Sequence, residues 1–513
     1  MKFLLTLFLL SSFVGTGLLA QDIGSPCGTQ QGRSLWLKAF QADNDHFAKG
    51  GDTTLYIAMS IHIVGKDNGA GYFSQLNTLK ALCTLNEFYQ AAGIQFIQEG
   101  EIHYINNTAY YQHGTVLEGA QMMFENNVPN SLNTYFVADP AGNCGYNLPY
   151  AGIANAKSCS APDDITWAHE VGHALSLPHP FLGWEGGVEW DGSVDHSFAN
   201  PAPETVTYDY TYFQDTLILD TLIIDTAFVE KTDGSNCLVA ADGFCDTAPD
   251  YLASRWTCNA NGESSTIQHD PNNMPLQSDG SLIMSYANDA CQSRFTPQQQ
   301  AAMRAFLLDQ RPSWLRSINL LPPVEQEVTI VAPLAGEDIG GFGAELIWEA
   351  VDNASMYLVQ VSRLSSFPSA LTFQYLTAST SLVTDQLDDG RTYYWKVLAY
   401  NEHQYCTDFN ATSSFIIHHP TAIKEIETLK TINIFPQPVD GNDQLMLSIE
   451  MTATWSGQLE LKNQLGQNIL VQKIELSPGR HIKSLHLDHL SKGLYFLTIS
   501  NGIEQISRKI IVQ

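Results

Sequence analysis

The sequence has 513 residues, of which 44% are hydrophobic, and a formal net charge of −29 at pH 7. A single hydrophobic core rarely organises so long a chain, so we expect a globular protein of roughly two to four domains. The strongly acidic balance argues against nucleic acid and anionic membrane surfaces as binding partners.

The first twenty residues, MKFLLTLFLLSSFVGTGLLA, combine a lysine at position 2, an apolar run and a small residue at Ala20. This pattern predicts a secretory signal peptide over residues 1–20. No later apolar run has the length that a membrane-spanning helix needs. The nine cysteines agree with an oxidising compartment, although their connectivity cannot be read from the sequence. One cysteine is left over, and Cys27 is the candidate for a free thiol.

Strand and helix patterns alternate after a polar, Gly-rich N-terminal segment, residues 21–50. Thr54–Gly65 predicts a strand, and Ser74–Gly93 predicts an amphipathic helix whose last residue is a C-capping glycine. Ile94–Ile97 and Thr134–Ala138 predict further strands. This mixture indicates one α+β domain in the first part of the chain.

Two more helices are marked by the residues at their starts. Asp163 and Asp164 favour a helix N-terminus, and the helix that follows carries a histidine motif. Further along, Thr296 predicts an N-cap, with Pro297 at the first helical position and Gln299 completing a capping box.

The stretch HEVGHALSLPH places three histidines and a glutamate at offsets zero, one, four and ten. Residues four apart share a helix face, so His169 and His173 can direct two imidazoles at one ion. Glu170 then lies close enough to contact a water on that ion. A catalytic zinc takes three protein ligands and one water, and His179 can be the third if the helix ends early. Pro178 favours this ending because it disfavours helical geometry at the preceding residue.

The pattern resembles the zinc motif HExxHxxGxxH of the metzincin metallopeptidases, with Ser176 where the family has glycine. That glycine lets the chain turn with a positive φ, which serine adopts at a cost. The resemblance implies that Glu170 takes a proton from a zinc-activated water during peptide hydrolysis. The alternative is a half-buried helix whose histidines only form structural hydrogen bonds.

A second block, SLIMSYANDACQSRFTPQQ, resembles the Met-turn of metzincins and is most similar to that of the pappalysin branch. The resemblance implies that Met284 packs beneath the zinc as a hydrophobic floor. It also implies that the hydroxyl of Tyr286 lies near the zinc or the developing oxyanion. Plain core packing is the alternative for Met284 alone. Asp289, just past this turn, would favour a basic side chain after the scissile bond.

A third block, DGFCDTAPD, is similar to the pappalysin segment GDxVxDTP, in which oxygen ligands hold calcium. Carried over by position, Asp242, Thr247 and the carbonyl of Phe244 would be calcium ligands, in keeping with the oxygen donors that calcium prefers. Turns made by aspartate and glycine are the alternative. The same resemblance implies a Cys258–Cys291 disulfide. Residues 180–236 form an insertion that contains a predicted hairpin.

Two β-rich segments follow a boundary at LPPVEQE. Residues 323–420 carry short alternating strands at Glu345–Ala350, Ser355–Leu364 and Thr392–Asn401, and they resemble a fibronectin type III domain. Residues 430–513, with IFPQPVDG, LSKGLYFLTISNG and SRKIIVQ, resemble the C-terminal sorting domain of the type IX secretion system. This implies passage across an outer membrane; an ordinary terminal β-sandwich module is the alternative.

These features predict a metzincin-like α+β catalytic domain over residues 51–320, a twisted sheet plus an active-site helix, followed by all-β sandwich domains. The expected function is that of a secreted, pappalysin-like zinc endopeptidase acting on proteins or peptides. Residues 21–50 would be a propeptide in which the Cys27 thiolate ligates the zinc and keeps the enzyme latent. One alternative is a non-catalytic surface binding protein that a metal merely stabilises, and another is a zinc hydrolase of non-peptide substrates.

Overall fold

The computed structural model describes residues 27–29, 32–48, 50–51, 53–181, 197–209, 224–318, 321–385, 387–402, 404–419, 424–439, 444–464, 466–487 and 490–512. The predicted signal peptide lies outside this range. The chain divides into two compact units, Met1–Pro323 with Asn401–Cys406, and Val324–Tyr400 with Thr407–Gln513. The described residues are mostly β-sheet with few helices.

Among the described residues, all helices longer than a single 3₁₀ turn lie in the first unit. The described helices are α1 Leu35–Ala42, α2 Gln75–Tyr89, α3 Thr108–Tyr111, α4 Val116–Asn126, α5 Thr166–Ala174 and α6 Pro297–Gln310. The strands of this unit are β1 Leu55–Gly65, β2 Ile94–Gln98, β3 His103–Asn106, β4 Gln112–His113, β5 Leu132–Val137, β6 Asp139–Pro140, β7 Gly145–Leu148, β8 Gly152–Ala156, β9 Thr205–Asp209, β10 Ile224–Phe228, β11 Gln268–His269, β12 Pro275–Leu276 and β13 Leu315–Arg316.

The main sheet of the first unit has the order β13-β1-β5-β8-β7, with β2 and β3 also paired to β1. Strands β1, β5 and β8 run parallel, whereas β7 pairs antiparallel with β8 at the edge. Almost every residue of β1 is buried, as expected for a parallel strand covered on both faces. Helix α5 packs against β7 and β8, so the sheet edge lies beside the histidine motif.

The sequence predicted the ends of three helices, and local capping contacts set the boundaries of two of them, α2 and α6. The Ser74 hydroxyl caps α2, which ends in a short 3₁₀ turn and a left-handed Gly93. Thr296 and Gln299 form the predicted capping box of α6. Helix α5 differs from the prediction, because Asp164 accepts a hydrogen bond from the nearby turn and does not cap the helix. The start of α5 is fixed instead by burial of its entire length.

Four disulfides join eight of the nine cysteines. They are Cys83–Cys406, Cys144–Cys159, Cys237–Cys245 and Cys258–Cys291, the last being the pair that the family resemblance implies. Cys406 reaches α2 because Asn401–Cys406 belongs to the first unit. Cys27 is buried and forms no disulfide, as the odd cysteine count predicts.

The second unit contains two β-sandwich cores. Its strands are β14 Ile330–Ala332, β15 Glu337–Gly340, β16 Glu345–Trp348, β17 Met356–Ser362, β18 Thr372–Thr377, β19 Ser381–Val383, β20 Arg391–Tyr400, β21 Ser413–His418, β22 Leu429–Phe435, β23 Gln444–Met451, β24 Trp455–Lys462, β25 Asn468–Leu476, β26 Gly479–His486, β27 Gly493–Ser500 and β28 Gln505–Val512. Sheets β14-β16-β19 and β15-β21-β20-β17-β18 enclose one core, which includes Trp348 and Trp395. Sheets β22-β23-β26 and β25-β24-β27-β28 enclose the other, which includes Leu447 and Leu459.

The insertion after His179 is described only in part. Strands β9 and β10 pair antiparallel, in keeping with the predicted hairpin, while residues 182–196 and 210–223 lie outside the described range. None of the helices in the described parts of the chain is long and apolar enough to cross a membrane.

Candidate metal centre

The end of α5 returns the chain toward the histidines that the helix carries. Ser176 has φ +74, and the amides of Ser176 and Leu177 donate to the carbonyls of His173 and Gly172. This is the Schellman pattern of helix termination, with serine in the left-handed position that glycine usually takes. The backbone therefore makes the predicted turn despite the serine, and His179 reaches the face of His173.

The structure brings His169, His173 and His179 together. Their Nε2 atoms lie 3.1 Å from one another in all three pairs. Tetrahedral zinc with Zn–N bonds near 2.0–2.1 Å separates its nitrogens by roughly 3.3 Å, so the triangle is close to the size that zinc requires. The three side chains are nearly or completely buried.

Hydrogen bonds fix which ring nitrogens face the centre. His169 donates from Nδ1 to the carbonyl of Ile283 at 2.8 Å, and His173 donates from Nδ1 to the carbonyl of Leu177 at 2.7 Å. Burial lowers the pKa of His169 to about 4 and holds the pKa values of His173 and His179 well below that of an exposed histidine. Neutral rings with Nδ1 protonated direct Nε2 lone pairs at one point, where a cation offsets their repulsion. The donor set therefore fits zinc.

Glu170 lies beside this triangle and is completely buried. Its Oε2 accepts a hydrogen bond from the Thr29 hydroxyl at 2.9 Å, while Oε1 has no hydrogen-bond partner among the described residues. Burial raises the pKa of Glu170 to about 8. A side chain at Gly145 would come within 2.8 Å of the Glu170 side chain, so glycine at the edge strand leaves room for it.

The N-terminal segment occupies the site. The Cys27 Sγ lies 3.5 Å from the Nε2 of His173. This sulfur and one ring nitrogen from each of the three histidines all lie within 4.8 Å of one another. The Gly28 amide donates to the carbonyl of Gly145 at 2.7 Å, so the segment pairs with the edge of β7. Burial and the neighbouring Glu170 carboxylate raise the pKa of Cys27. A metal ion would reverse this effect, because thiolates are the form that binds metals.

Met284 and Tyr286 both border the histidine cluster. Met284 is buried, and a side chain at Gly172 would come within 2.4 Å of its sulfur, so the methionine packs directly against α5. The Tyr286 hydroxyl donates to the carbonyl of Cys27 at 3.2 Å, and its ring centroid lies 4.9 Å from that of His179.

Two residues that support the metal centre, Gln292 and Thr29, were not predicted from the sequence. The Gln292 amide donates to the carbonyls of Ile283 and Ser285 at 2.8 and 2.9 Å, which braces the turn that receives the His169 hydrogen bond. Thr29 holds Glu170, as described above. The Thr29–Glu170 contact joins residues far apart in the sequence, whereas Gln292 lies only nine residues after Ile283. Neither residue type marks a site by itself, so neither role was predicted.

A small cavity lies next to the histidines, lined by residues that include Thr166, His169, Tyr286, Arg255 and Asp289. Arg255 and Asp289 form an ion pair there, with 2.5 Å between Nη2 and Oδ1. The sequence predicted that Asp289 would favour a basic side chain in the substrate. Arg255 compensates the negative charge of Asp289, so the cavity is lined by an ion pair and not by a free carboxylate.

The expected calcium loop contains buried carboxylates that lack full hydrogen bonding. Oδ1 of Asp242 accepts from the Phe244 amide at 3.0 Å and the Thr247 hydroxyl at 2.9 Å, whereas Oδ2 has no partner among the described residues. The sequence missed Glu230, whose Oε2 is likewise buried without a partner. Burial and the Asp242 charge raise the pKa of Glu230. Two such carboxylates are the oxygen donors that calcium takes.

A protein family and a known protein are each similar to part of this chain. Residues 433–513 match the family described as the secretion system C-terminal sorting domain. An extracellular metalloprotease of Colletotrichum graminicola is 24% identical over 208 residues, which cover 36% of this chain and 73% of that protein. The predicted sorting domain is thereby confirmed, and the protein is secreted or held at the cell surface, as the sequence predicts.

Solved structures that match the chain include fibronectin type III domains. The FN1–FN3 domains of chicken CNTN1 match 37% of this chain and 66% of their own length, with 14% identity and a TM-score of 0.16. A two-domain fibronectin type III segment of chicken tenascin matches 36% of this chain and 98% of its own length, with 14% identity and a TM-score of 0.14.

Proposed function

We propose that the protein is a secreted zinc endopeptidase, in which His169, His173 and His179 hold the metal and Glu170 is the general base. The observation that carries this proposal is the convergence of three buried Nε2 atoms at 3.1 Å beside a buried glutamate. The similarity to an extracellular metalloprotease agrees with it. The Schellman turn at Ser176 and the packing of Met284 on α5 support a metzincin-like catalytic fold, most similar to the pappalysin branch.

Zinc in this site would supply a water of lowered pKa and polarise the scissile carbonyl. Glu170 would accept the water proton through Oε1, which has no other partner among the described residues, and deliver it to the leaving amine. Burial raises the pKa of Glu170 in the covered site, and a bound cation would favour the carboxylate, which is the form that accepts a proton.

Tyr286 is proposed to stabilise the oxygen of the substrate carbonyl. Its hydroxyl donates to the backbone carbonyl of Cys27, which stands in for a peptide carbonyl at the site. A substrate carbonyl in the same place would receive the same hydrogen bond, and the bond would strengthen as negative charge develops on the oxygen.

Residues 21–50 are proposed to be an inhibitory propeptide. Cys27 places its sulfur where a fourth zinc ligand would be, and Thr29 hydrogen-bonds to the general base. Gly28 meanwhile occupies the edge of β7, to which an extended peptide would otherwise add. The segment would thus block the metal site, the general base Glu170 and the edge of β7 at which a substrate would bind.

Calcium is proposed to bind at Asp242, Glu230 and Thr247, with the carbonyl of Phe244. The unpartnered carboxylate oxygens of Asp242 and Glu230 support this assignment. A divalent cation would compensate the cost of burying two carboxylates in one loop.

The function is tested by casein digestion together with metal analysis. We expect zinc-dependent cleavage that 1,10-phenanthroline inhibits, and Glu170→Ala should lower the rate by at least about a hundredfold because the general base is lost. Zinc content should stay at the wild-type level in Glu170→Ala and fall in His173→Ala, as measured by plasma mass spectrometry. Full activity in Glu170→Ala would refute the assigned role, and a zinc-loaded protein that cleaves no protein would favour the binding-protein alternative.

A further inference from the structure

A cavity of about 310 Å³ opens where β7 ends. None of the three histidines lines it, and its volume falls within the range of ligand pockets in proteins. The end of β7 and the loop to β8 form one wall, and the residues after α6 form another. The lining residues are Asn127–Asn133, Asn147–Gly152, Gln310, Arg311, Ser313 and Trp314.

Arg311 is the one charged side chain among the described residues of this lining, which include no carboxylate. A cavity lining with a cation and no anion is unusual in a chain with 54 acidic and 25 basic residues. The guanidinium donates to the carbonyls of Pro149 and Gln310 at 2.9 and 3.2 Å, and it forms no ion pair with a described residue. Arginine has five N–H donors, so donors remain for a ligand.

Aromatic rings hold this guanidinium in place. It lies 5.2 Å from the ring centroid of Trp314 and 5.9 Å from that of Tyr150. An arginine positioned by rings and by two carbonyls loses little freedom when it binds an anion, and its fork geometry matches a carboxylate. The lining chemistry therefore suits an acidic group that is presented by an extended chain.

The cavity continues the edge of β7, which is the edge that the N-terminal segment occupies. Gly145 lies beside Glu170, and Asn147, two residues along, already lines the cavity. Tyr150, whose ring lies beside the Arg311 guanidinium, is five residues from Gly145. An extended chain advances about 3.3 Å per residue, so a peptide on this edge reaches the cavity roughly three to five residues from the catalytic glutamate. The N-terminal segment runs parallel to β7, because Gly28 donates to Gly145 and Thr29 accepts from the Asn147 amide. A substrate that ran in the opposite direction would place its N-terminal part in the cavity.

We propose that this cavity binds an acidic side chain of the substrate, located three to five residues on the N-terminal side of the scissile bond, with Arg311 as the specificity-determining residue. The proposal rests on the peptidase function proposed above. It adds a requirement for substrate charge at a distance from the scissile bond.

The test compares peptides that differ only by Glu or Gln at each of the three upstream positions. We expect kcat/KM of the secreted protein to be roughly tenfold higher for Glu at one of them, as for a hydrogen bond between charged groups. Arg311→Gln should remove the preference, and Arg311→Lys should keep part of it. Arg294→Gln, an exposed arginine paired with Asp279, is the matched control and should leave it unchanged. Equal rates for all the peptides, or a preference that survives Arg311→Gln, would overturn the proposal.

Binding of the same peptides to processed Glu170→Ala protein, from which residues 21–50 have been cleaved, is measured by calorimetry and separates the two proposals. A tenfold tighter binding of the Glu peptide that Arg311→Gln abolishes supports the cavity even if no peptide is cleaved, in which case the peptidase function fails alone. Cleavage without any discrimination in binding or rate leaves the peptidase function standing and removes the cavity proposal.

Discussion

At the residue scale, Ser176 shows how one strained position can complete the candidate site. A left-handed backbone costs a residue with a side chain roughly 1–2 kcal/mol. The two Schellman hydrogen bonds and the burial of His179 offset that cost. The serine also bonds through its hydroxyl to the hydroxyl of Ser34 at 2.8 Å, a contact that glycine could not make.

His62 is a buried histidine outside the metal centre. Its ring stacks between Tyr135 and His103, with centroid distances of 4.2 and 4.9 Å. Nε2 bonds to the Oδ1 of Asn133 at 2.9 Å, while Nδ1 is buried without a hydrogen-bond partner among the described residues. Burial lowers the pKa of His62 to about 4, so the folded protein keeps this ring neutral well below the pKa of an exposed histidine.

Replacing this histidine with phenylalanine should reduce acid destabilisation. Below its ordinary pKa of 6.5 the unfolded chain binds a proton at His62, whereas the folded chain binds it only below about pH 4. Stability is therefore lost as the pH falls from 6.5 to 4, and His62 accounts for about 2 kcal/mol of that loss at pH 5.

The free energy of unfolding, measured in urea at pH 7 and pH 5, should thus fall less in His62→Phe than in the wild type. The amide of Val128 still bonds to Asn133 in the variant, so that side chain keeps a partner. An equal fall in both proteins would contradict the low pKa of His62.

At the element scale, helix α6 is tied to the sheet by one side chain. Arg304 is buried and donates to four backbone carbonyls, those of Gly51, Thr53, Ala92 and Gly93, at 2.7–2.9 Å. These carbonyls lie just before β1 and just before β2, so α6 holds the starts of two neighbouring strands. The same helix begins at Pro297, downstream of Ile283, whose carbonyl accepts the His169 hydrogen bond.

Arg304→Met should destabilise the protein by roughly 3 kcal/mol, because four hydrogen bonds of a buried guanidinium are lost while the apolar stem is kept. Arg294→Met is the matched control, since Arg294 is about half exposed and forms a surface ion pair, which contributes less than about 1 kcal/mol. Chemical denaturation followed by circular dichroism measures both. Similar losses in the two variants would show that the carbonyl contacts of Arg304 contribute little.

Elements with local signals could be predicted from the sequence, and those fixed by distant contacts could not. The capping box of α6 and the C-terminal glycine of α2 involve neighbours within four residues, so the chain itself specifies them. Helix α5 has no side-chain cap, and burial alone sets its start. In the candidate site, the histidine spacing encodes the triangle, whereas Thr29 contacts Glu170 and Ile283 contacts His169 from over a hundred residues away.

At the scale of the whole molecule, the N-terminal segment is anchored at several places in the first unit. Besides the contacts of Cys27 and Thr29, Arg33 donates to the carbonyls of Leu238 and Val239, and Trp36 on α1 bonds to Asp309. The ring of Trp36 also packs on Phe306 of α6, with 5.0 Å between centroids.

Cys27→Ala should raise the activity of the uncleaved full chain, because the proposed fourth ligand is lost. The rise should stay well below the activity of the processed enzyme, since the other anchors still hold the segment on β7. A fluorogenic peptide assay on protein shown by mass spectrometry to be intact measures this. Thr115→Ala, which removes the capping box of α4, is a control for general loosening. No rise with Cys27→Ala would argue against the thiol as the latency group.

The Cys83–Cys406 bond has a further consequence for processing of the secreted chain. It closes a covalent loop that contains the chain from α2 through β20. A single proteolytic nick between Pro323 and Asn401 would leave both fragments joined, and they would part only in the presence of a reductant. A nick beyond Cys406 would instead release the sorting domain without a reductant. Shedding of the tail therefore requires a cut on the C-terminal side of the Cys83–Cys406 disulfide.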